Sequence, residues 1–159
     1  MNSNPILIIP GEPKSVFFEI FFKSLKLTKV RSPLILICDK KILYKEIKKF
    51  NFRQNVEELG KNSLNKKRIQ KKKIYLIDIS NQKPKAYIQK CFNFAFSLLK
   101  KGFTKKIING PINKAKTLNK KFLGVTEYVS QSFNQKKFAM LIYNKKLSVC
   151  PVTTHLPIS

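Results

Sequence analysis

The chain has 159 residues, 43% of them hydrophobic, and carries 33 Lys and Arg against 8 Asp and Glu, a formal net charge of +25. This length and apolar content predict one compact domain over residues 1–159 with a single ordinary core. No apolar stretch approaches the roughly 20 residues a membrane span needs, and Met1–Asn4 lacks the basic start of a signal peptide, so a cytoplasmic protein with no membrane partner is expected.

Ile6-Leu7-Ile8-Ile9 is a short β-branched run stopped by Pro10-Gly11, which predicts a buried first strand and a turn. From Ser15 to Leu27, Val16, Phe17, Ile20, Phe21 and Leu25 recur at helical spacing, with Ser15 placed to cap the helix. Leu34 to Cys38 repeats the buried-strand pattern, and Asp39 is placed to cap a second helix carrying Ile42, Leu43, Ile47 and Phe50. Residues 51–73 lose the period and predict a loop or short edge element.

Ile74 to Ile79 reads as a third strand. After Pro84, the residues Ile88, Cys91, Phe92, Ala95, Phe96 and Leu99 mark an amphipathic helix that Gly102 ends. Lys106 to Asn109 predicts another strand, ending in Gly110-Pro111, and Phe138 to Tyr143 with Leu147 to Val152 predict a hairpin across Asn144-Lys145-Lys146. Strands alternating with helices predict an α/β layer with a mostly parallel sheet flanked by helices. In such sheets ligands bind beyond the carboxyl ends of the strands, so the segments after Ile9, Asn109 and Val152 are where chemistry is sought.

The charge invites a nucleic-acid reading, because neutralising phosphates is strongly favourable at low salt. Against it, Arg31, Arg53 and Arg68 are the only arginines, whereas phosphate and base recognition favours the guanidinium fork. The lysines are also spread along the whole chain and accompany an excess of Ile, Asn and Phe, the residues of AT-rich codons. Solvated lysine faces are therefore expected, and a basic nucleic-acid-binding module is kept as an alternative. Cys38, Cys91 and Cys150 lie far apart in apolar patterns, which predicts reduced core thiols and not a disulfide or metal framework.

Four segments carry candidate chemistry. Pro10-Gly11-Glu12-Pro13 fixes a rigid turn able to aim the Glu12 carboxylate or a backbone N–H into a cleft; an ordinary strand-to-helix turn accounts for it equally. In Gly110-Pro111-Ile112-Asn113-Lys114 the glycine permits close backbone approach, and Lys114 at a helix start would suit an anion, although one lysine among so many is also simply solvated. In Gly124-Val125-Thr126-Glu127-Tyr128, Thr126 reads as an N-cap whose hydroxyl could hold a phosphate, or as a cap alone. His155, the only histidine, sits in Thr153-Thr154-His155-Leu156-Pro157; imidazole is a common metal ligand, but one ligand makes no metal site.

Taken in order, Pro-Gly-Glu-Pro near the start, Gly-Pro-Ile-x-Lys near residue 110, Phe-Leu-Gly-x-Thr-Glu-Tyr from Phe122 and Thr-Thr-His-Leu-Pro at the end resemble the N-terminal half of the 4-hydroxythreonine-4-phosphate dehydrogenase family. The resemblance spans residues 5–159. It implies one domain of a two-domain isocitrate/isopropylmalate dehydrogenase-like fold that dimerises, with the active site between domains. It also implies NAD and a divalent metal (zinc, magnesium or cobalt) as cofactors. The implied reaction is oxidation of 4-hydroxythreonine 4-phosphate followed by decarboxylation, on the route to pyridoxal phosphate.

By the same resemblance His155 matches a metal ligand and Thr126 a substrate-binding residue, with Lys114 and Glu12 as further cleft residues. Three departures stand out: Val125 replaces the family's histidine before the threonine, Asn113 stands where histidine is common, and Lys14-Ser15-Val16-Phe17 replaces a glycine-containing helix entry. The family's second half, with its other histidines and most of its NAD surface, has no counterpart in the sequence. The expectation is a truncated reading frame or half of a split enzyme; the alternative is a non-catalytic paralogue that binds a phosphorylated metabolite.

Overall fold

A computed structural model describes residues 4–61, 64, 69–118, 122 and 124–152. Thr153-Thr154-His155-Leu156-Pro157 lies outside the described residues. The chain divides into two compact units, residues 1–113 and 114–159.

The first unit is a five-stranded parallel sheet in the order β3-β4-β2-β1-β5, built from β1 (Ile6–Ile9), β2 (Leu34–Cys38), β3 (Val56–Glu58), β4 (Ile74–Asp78) and β5 (Ile107–Asn109). β1, β2 and β4 are near-continuous apolar runs because a parallel sheet covered on both faces has no water-facing side. Every residue of β2 is buried. The predicted edge element within residues 51–73 is β3.

Side chains alternate across the sheet. Ile8, Leu34, Leu36, Cys38, Ile74 and Leu76 share one face with helices α1 (Phe17–Leu27) and α2 (Lys40–Lys49), in a cluster that includes Phe18, Phe22 and Leu43. Leu7, Ile9, Ile35, Ile37, Tyr75 and Ile77 point the other way and are also buried. Helix α3 (Pro84–Lys100) packs on β1 and β2 from that side. The tyrosine at its start anchors it, since the Asp39 N–H donates to the Tyr87 hydroxyl at 2.9 Å.

The predicted caps differ in outcome. Asp39 caps α2 as expected, its carboxylate accepting from the Ile42 N–H. Gly102, which follows the Lys101 cap of α3, sits at φ +67, the left-handed conformation that stops a helix. α1 begins at Phe17, one residue later than the predicted Ser15 cap implies, with Val16 at the cap position, although the Ser15 hydroxyl still accepts from Phe17 N–H at 3.4 Å. Its buried stripe is Phe17, Phe18, Phe21 and Phe22, while Val16 and Ile20 are exposed. The larger aromatic rings remove more apolar surface from water and so win the inward face.

In the second unit, α4 (Lys114–Thr117) and α5 (Val125–Ser132) precede a segment whose expected hairpin is reduced to one antiparallel pair, Ile142 with Val149. That pair exchanges both backbone hydrogen bonds, at 2.8 and 2.9 Å, across a turn in which Asn144 Oδ1 accepts from Lys146 N–H. Cys38 and Cys91 are buried thiols as predicted; Cys150 is exposed, because the strand it was expected to pack within is not formed around it.

Candidate functional site

The sheet topology singles out one place. From β1 the chain moves to β2 by way of α1 on one face, then returns from β4 to β5 by way of α3 on the other. The strand order therefore reverses between β1 and β5, and the crevice at their carboxyl ends is where open α/β sheets bind ligands. The two loops that flank it are Pro10–Val16 and Gly110–Asn113, which carry the first two sequence motifs.

These loops are locked together. The β1–β5 pairing runs on past the strands, with Gly110 N–H donating to Ile9 O at 2.8 Å and Glu12 N–H to Pro111 O at 2.9 Å. Gly11 has φ +82, and a Cβ there would lie 2.2 Å from the Pro111 carbonyl oxygen. A Cβ on Gly110 would lie 2.1 Å from the Pro10 oxygen and 2.6 Å from the Phe17 ring. The glycines are what allow two backbones to approach this closely.

Glu12 joins the loops in a second way. Its Oε1 accepts from the Asn113 N–H at 3.2 Å, and its carbonyl accepts from Ser15 N–H at 3.0 Å to close the turn into α1. Glu12 is half-buried as a residue, and its carboxylate holds the backbone of the Gly110 loop. An anion brought directly against Glu12 would be repelled, so this carboxylate suits a hydroxyl or amine better than a phosphate.

The other predicted site residues fall in the second unit or beyond the described residues. Lys114 opens α4 and is exposed. Thr126 is half-buried in the first turn of α5; the N-cap position belongs to Gly124 (φ −157, ψ 179), so Thr126 is not the cap its sequence context suggests. Val125 occupies the first helical position. Tyr128, whose phenol pKa is raised by burial, meets Phe122 edge-on at 5.2 Å.

A second concave feature of about 440 Å³ lies at the carboxyl ends of β2 and β4, lined by Asp39, Lys40, Asp78 and Asn81 among others. Sequence reasoning saw only the helix cap here. The Asp39 side chain also accepts from Asn81 N–H at 2.7 Å, and Asp78 accepts from Lys40 N–H at 2.8 Å. Both carboxylates thus act as ties between loops; the signal for this was an Asp ending each of two adjacent strands. Among the described residues no three His, Cys, Asp or Glu side chains come together to hold a metal ion. The described donor set does not fit a metal by itself.

Comparison with known proteins gives this arrangement a family. The model of the pyridoxal phosphate biosynthetic protein PdxA matches residues 29–159. The chain is 26% identical over 163 residues to 4-hydroxythreonine-4-phosphate dehydrogenase of Aquifex aeolicus (strain VF5), covering 93% of this chain and 48% of that protein. It is 30% identical over 166 residues to the enzyme of the same name from Sulfurihydrogenibium sp. (strain YO3AOP1), covering 96% of this chain and 50% of that protein.

Crystal structures of 4-hydroxythreonine-4-phosphate dehydrogenases from Burkholderia phymatum and Klebsiella pneumoniae share the fold, with TM-scores of 0.74 and 0.76. Each is 22% identical in sequence, and each alignment covers 98% of this chain and 51% of the other. The chain spans about half the length of the curated relatives it matches. With the family model covering residues 29–159, the chain belongs to the PdxA family of pyridoxal phosphate biosynthetic proteins.

Proposed function

We propose that this chain provides the N-terminal half of a 4-hydroxythreonine-4-phosphate dehydrogenase site, acting in the cytoplasm in vitamin B6 biosynthesis. The observation that carries the reading is the joining of the Pro10–Pro13 and Gly110–Asn113 loops at the reversal point of the sheet, in a chain of the PdxA family. The oxidation removes a hydride from the substrate's hydroxyl carbon, to NAD, and a proton from the hydroxyl. The resulting ketone lies β to the carboxylate, so loss of carbon dioxide follows readily.

In this reading Thr126 and Lys114 hold the phosphate, by a hydroxyl donor and an ammonium charge. Glu12 fixes the loop that leads into Lys114. His155 is assigned to a divalent metal, zinc, magnesium or cobalt. One imidazole does not hold such an ion, so further ligands come from polypeptide equivalent to the relatives' other half, which also supplies most of the NAD surface. A homodimer, as the family resemblance implies, is the proposed assembly.

A second reading, a non-catalytic paralogue that retains metabolite binding, is favoured by one observation: Val125, at the start of α5, brings no hydrogen-bonding side chain next to Thr126. Calorimetric titration of the chain with 4-hydroxythreonine 4-phosphate, and with duplex DNA at two salt concentrations, tests both against a nucleic-acid module. Substrate binding weakened by Thr126→Ala or Lys114→Ala is expected. Salt-sensitive DNA binding with no metabolite binding would overturn the enzyme-family reading.

A further inference from the structure

The amino ends of β2 and β4 open onto a hollow of about 550 Å³, on the opposite rim of the sheet from the crevice between β1 and β5. The end of α1 and its connection to β2 bring Lys26, Lys29 and Arg31 to this hollow, and the turn into β4 brings Lys72 and Lys73. Leu25 and Val30, both half-buried against the core, give it an apolar floor. Its size falls within the roughly 300–1,000 Å³ of small-molecule sites.

Backbone holds the two loops together. Lys72 N–H donates to Arg31 O at 3.3 Å, and Leu34 N–H to Lys73 O at 3.0 Å. Lys72 itself stands at φ +61, a conformation uncommon for a residue with a Cβ and imposed here by the tight turn. The cations therefore extend from a tied frame.

These cations have no counterion of their own. The sequence holds 8 acidic residues. Glu57 pairs with Lys73, while Glu19, Glu58 and Glu46 pair with Lys23, Lys40 and Lys49. Glu12, Asp39 and Asp78 accept from backbone N–H groups at the carboxyl ends of the strands, and Glu127 lies in the second unit. Among the described residues no carboxylate lines the hollow, and Lys26, Lys29, Arg31 and Lys72 are exposed there without an ion-pair partner. The last carbonyls of α1 supply about −0.5 of a charge, which offsets less than one of the four.

We propose that this hollow is a binding site for a small molecule carrying two or more phosphates, separate from the crevice. One phosphate group carries about −1.5 to −2 charge near neutral pH, so about two are needed to balance four cations. The lysines are point charges suited to a flexible phosphate chain, and Arg31 adds one planar fork able to grip a phosphate with two hydrogen bonds. Leu25 and Val30 offer an organic group attached to the phosphates an apolar surface to cover. The inference rests on the first unit alone and is independent of the dehydrogenase reading.

The probes are inorganic phosphate, tripolyphosphate and ATP, titrated into the whole chain in magnesium-free buffer at about 0.15 M ionic strength and followed by calorimetry and backbone amide NMR. Tripolyphosphate should bind at least about tenfold more tightly than phosphate and shift the amides of residues 26–32 and 72–74. Lys29→Gln, Arg31→Gln and Lys72→Gln together should weaken it at least about tenfold. Lys45→Gln, Lys48→Gln and Lys85→Gln remove the same charge from α2 and α3 and should weaken it less than about threefold. All six residues are exposed, so both variants should keep the fold. ATP binding tighter than tripolyphosphate identifies a nucleotide-like ligand that uses the apolar floor; equal or weaker binding identifies the phosphate chain alone. Equal loss in the two triple variants, amide shifts centred on Glu12 and Lys114, phosphate binding as tightly as tripolyphosphate, or no saturation below about 1 mM would overturn the proposal.

Discussion

Gly11 and Pro111 meet backbone to backbone: a Cβ on Gly11 would stand 2.2 Å from the Pro111 carbonyl oxygen, with Gly11 already at φ +82. No side-chain rearrangement can relieve that approach, because the obstacle is main chain. Gly11→Ala therefore should cost several kcal/mol, on the order of 3 or more, by forcing the two loops apart. Gly102→Ala is the internal control. It shares a positive φ of +67 but has nothing within 4 Å, so its cost should stay near the roughly 1–2 kcal/mol of the left-handed backbone alone. Urea denaturation of both variants measures the difference.

Glu12 should act through the Asn113 amide. Glu12→Ala removes the acceptor at 3.2 Å and should speed hydrogen exchange at Asn113, with a stability loss of about 1 kcal/mol. Glu12→Gln keeps an oxygen in place and should retain most of the protection. If Glu12→Ala leaves exchange at Asn113 unchanged, the carboxylate does not hold the loop.

Asp39 has two jobs at the ends of β2 and α2. It accepts from Ile42 N–H at 3.1 Å and from Asn81 N–H at 2.7 Å, and it is only 8% exposed. Asp39→Ala strands both donors and should destabilise the first unit by about 2–3 kcal/mol, a cap plus a buried hydrogen bond. Asp39→Asn, which can accept at one oxygen, should lose less. Thermal unfolding followed by circular dichroism ranks the two.

The first unit should weaken in alkali. Burial pushes the Cys91 thiol from its ordinary 9.0 up to about 12, a hydrogen bond from Tyr87 pulling back part of the shift. Burial also pushes the Cys38 thiol and the Tyr87 phenol up. The folded state keeps protons that the unfolded chain releases, so stability is complete below the unfolded thiol pKa and falls as pH rises through the folded one. Cys91 alone contributes a loss on the order of 4 kcal/mol across that window. Urea midpoints taken from about pH 8 to about pH 11 should fall, and Cys91→Ala should flatten the slope whatever it does to the midpoint at neutral pH. A flat profile in the wild-type chain would contradict buried neutral thiols.

Much of the sheet domain was legible because buried parallel strands and helix caps leave local signals. Leu34 to Cys38 is apolar at every position because both its faces are covered, and Asp39 follows at the place a cap is needed. Where helical spacing admitted two stripes, as in α1, sequence alone chose Val16 and Ile20 over Phe18 and Phe22; the decision depends on ring volumes meeting Phe52 across the core, with Phe22 and Phe52 stacked at 4.3 Å. The Glu12–Asn113 and Gly11–Pro111 contacts were not legible at all. They join residues about a hundred positions apart, and only the strand order brings those positions together. Thr126 looked like a cap because threonine commonly is one, yet Gly124 reaches the extended conformation first and the helix begins before Thr126.

Turnover shows whether this chain forms half of a dehydrogenase site, in a fusion that continues from Ser159 into the C-terminal half of the Sulfurihydrogenibium relative. With 4-hydroxythreonine 4-phosphate, NAD and a divalent metal, the fusion should form NADH while neither half does so alone, and His155→Ala should lower the rate at least about a hundredfold. A folded fusion that forms no NADH, or one whose rate survives His155→Ala, would contradict it.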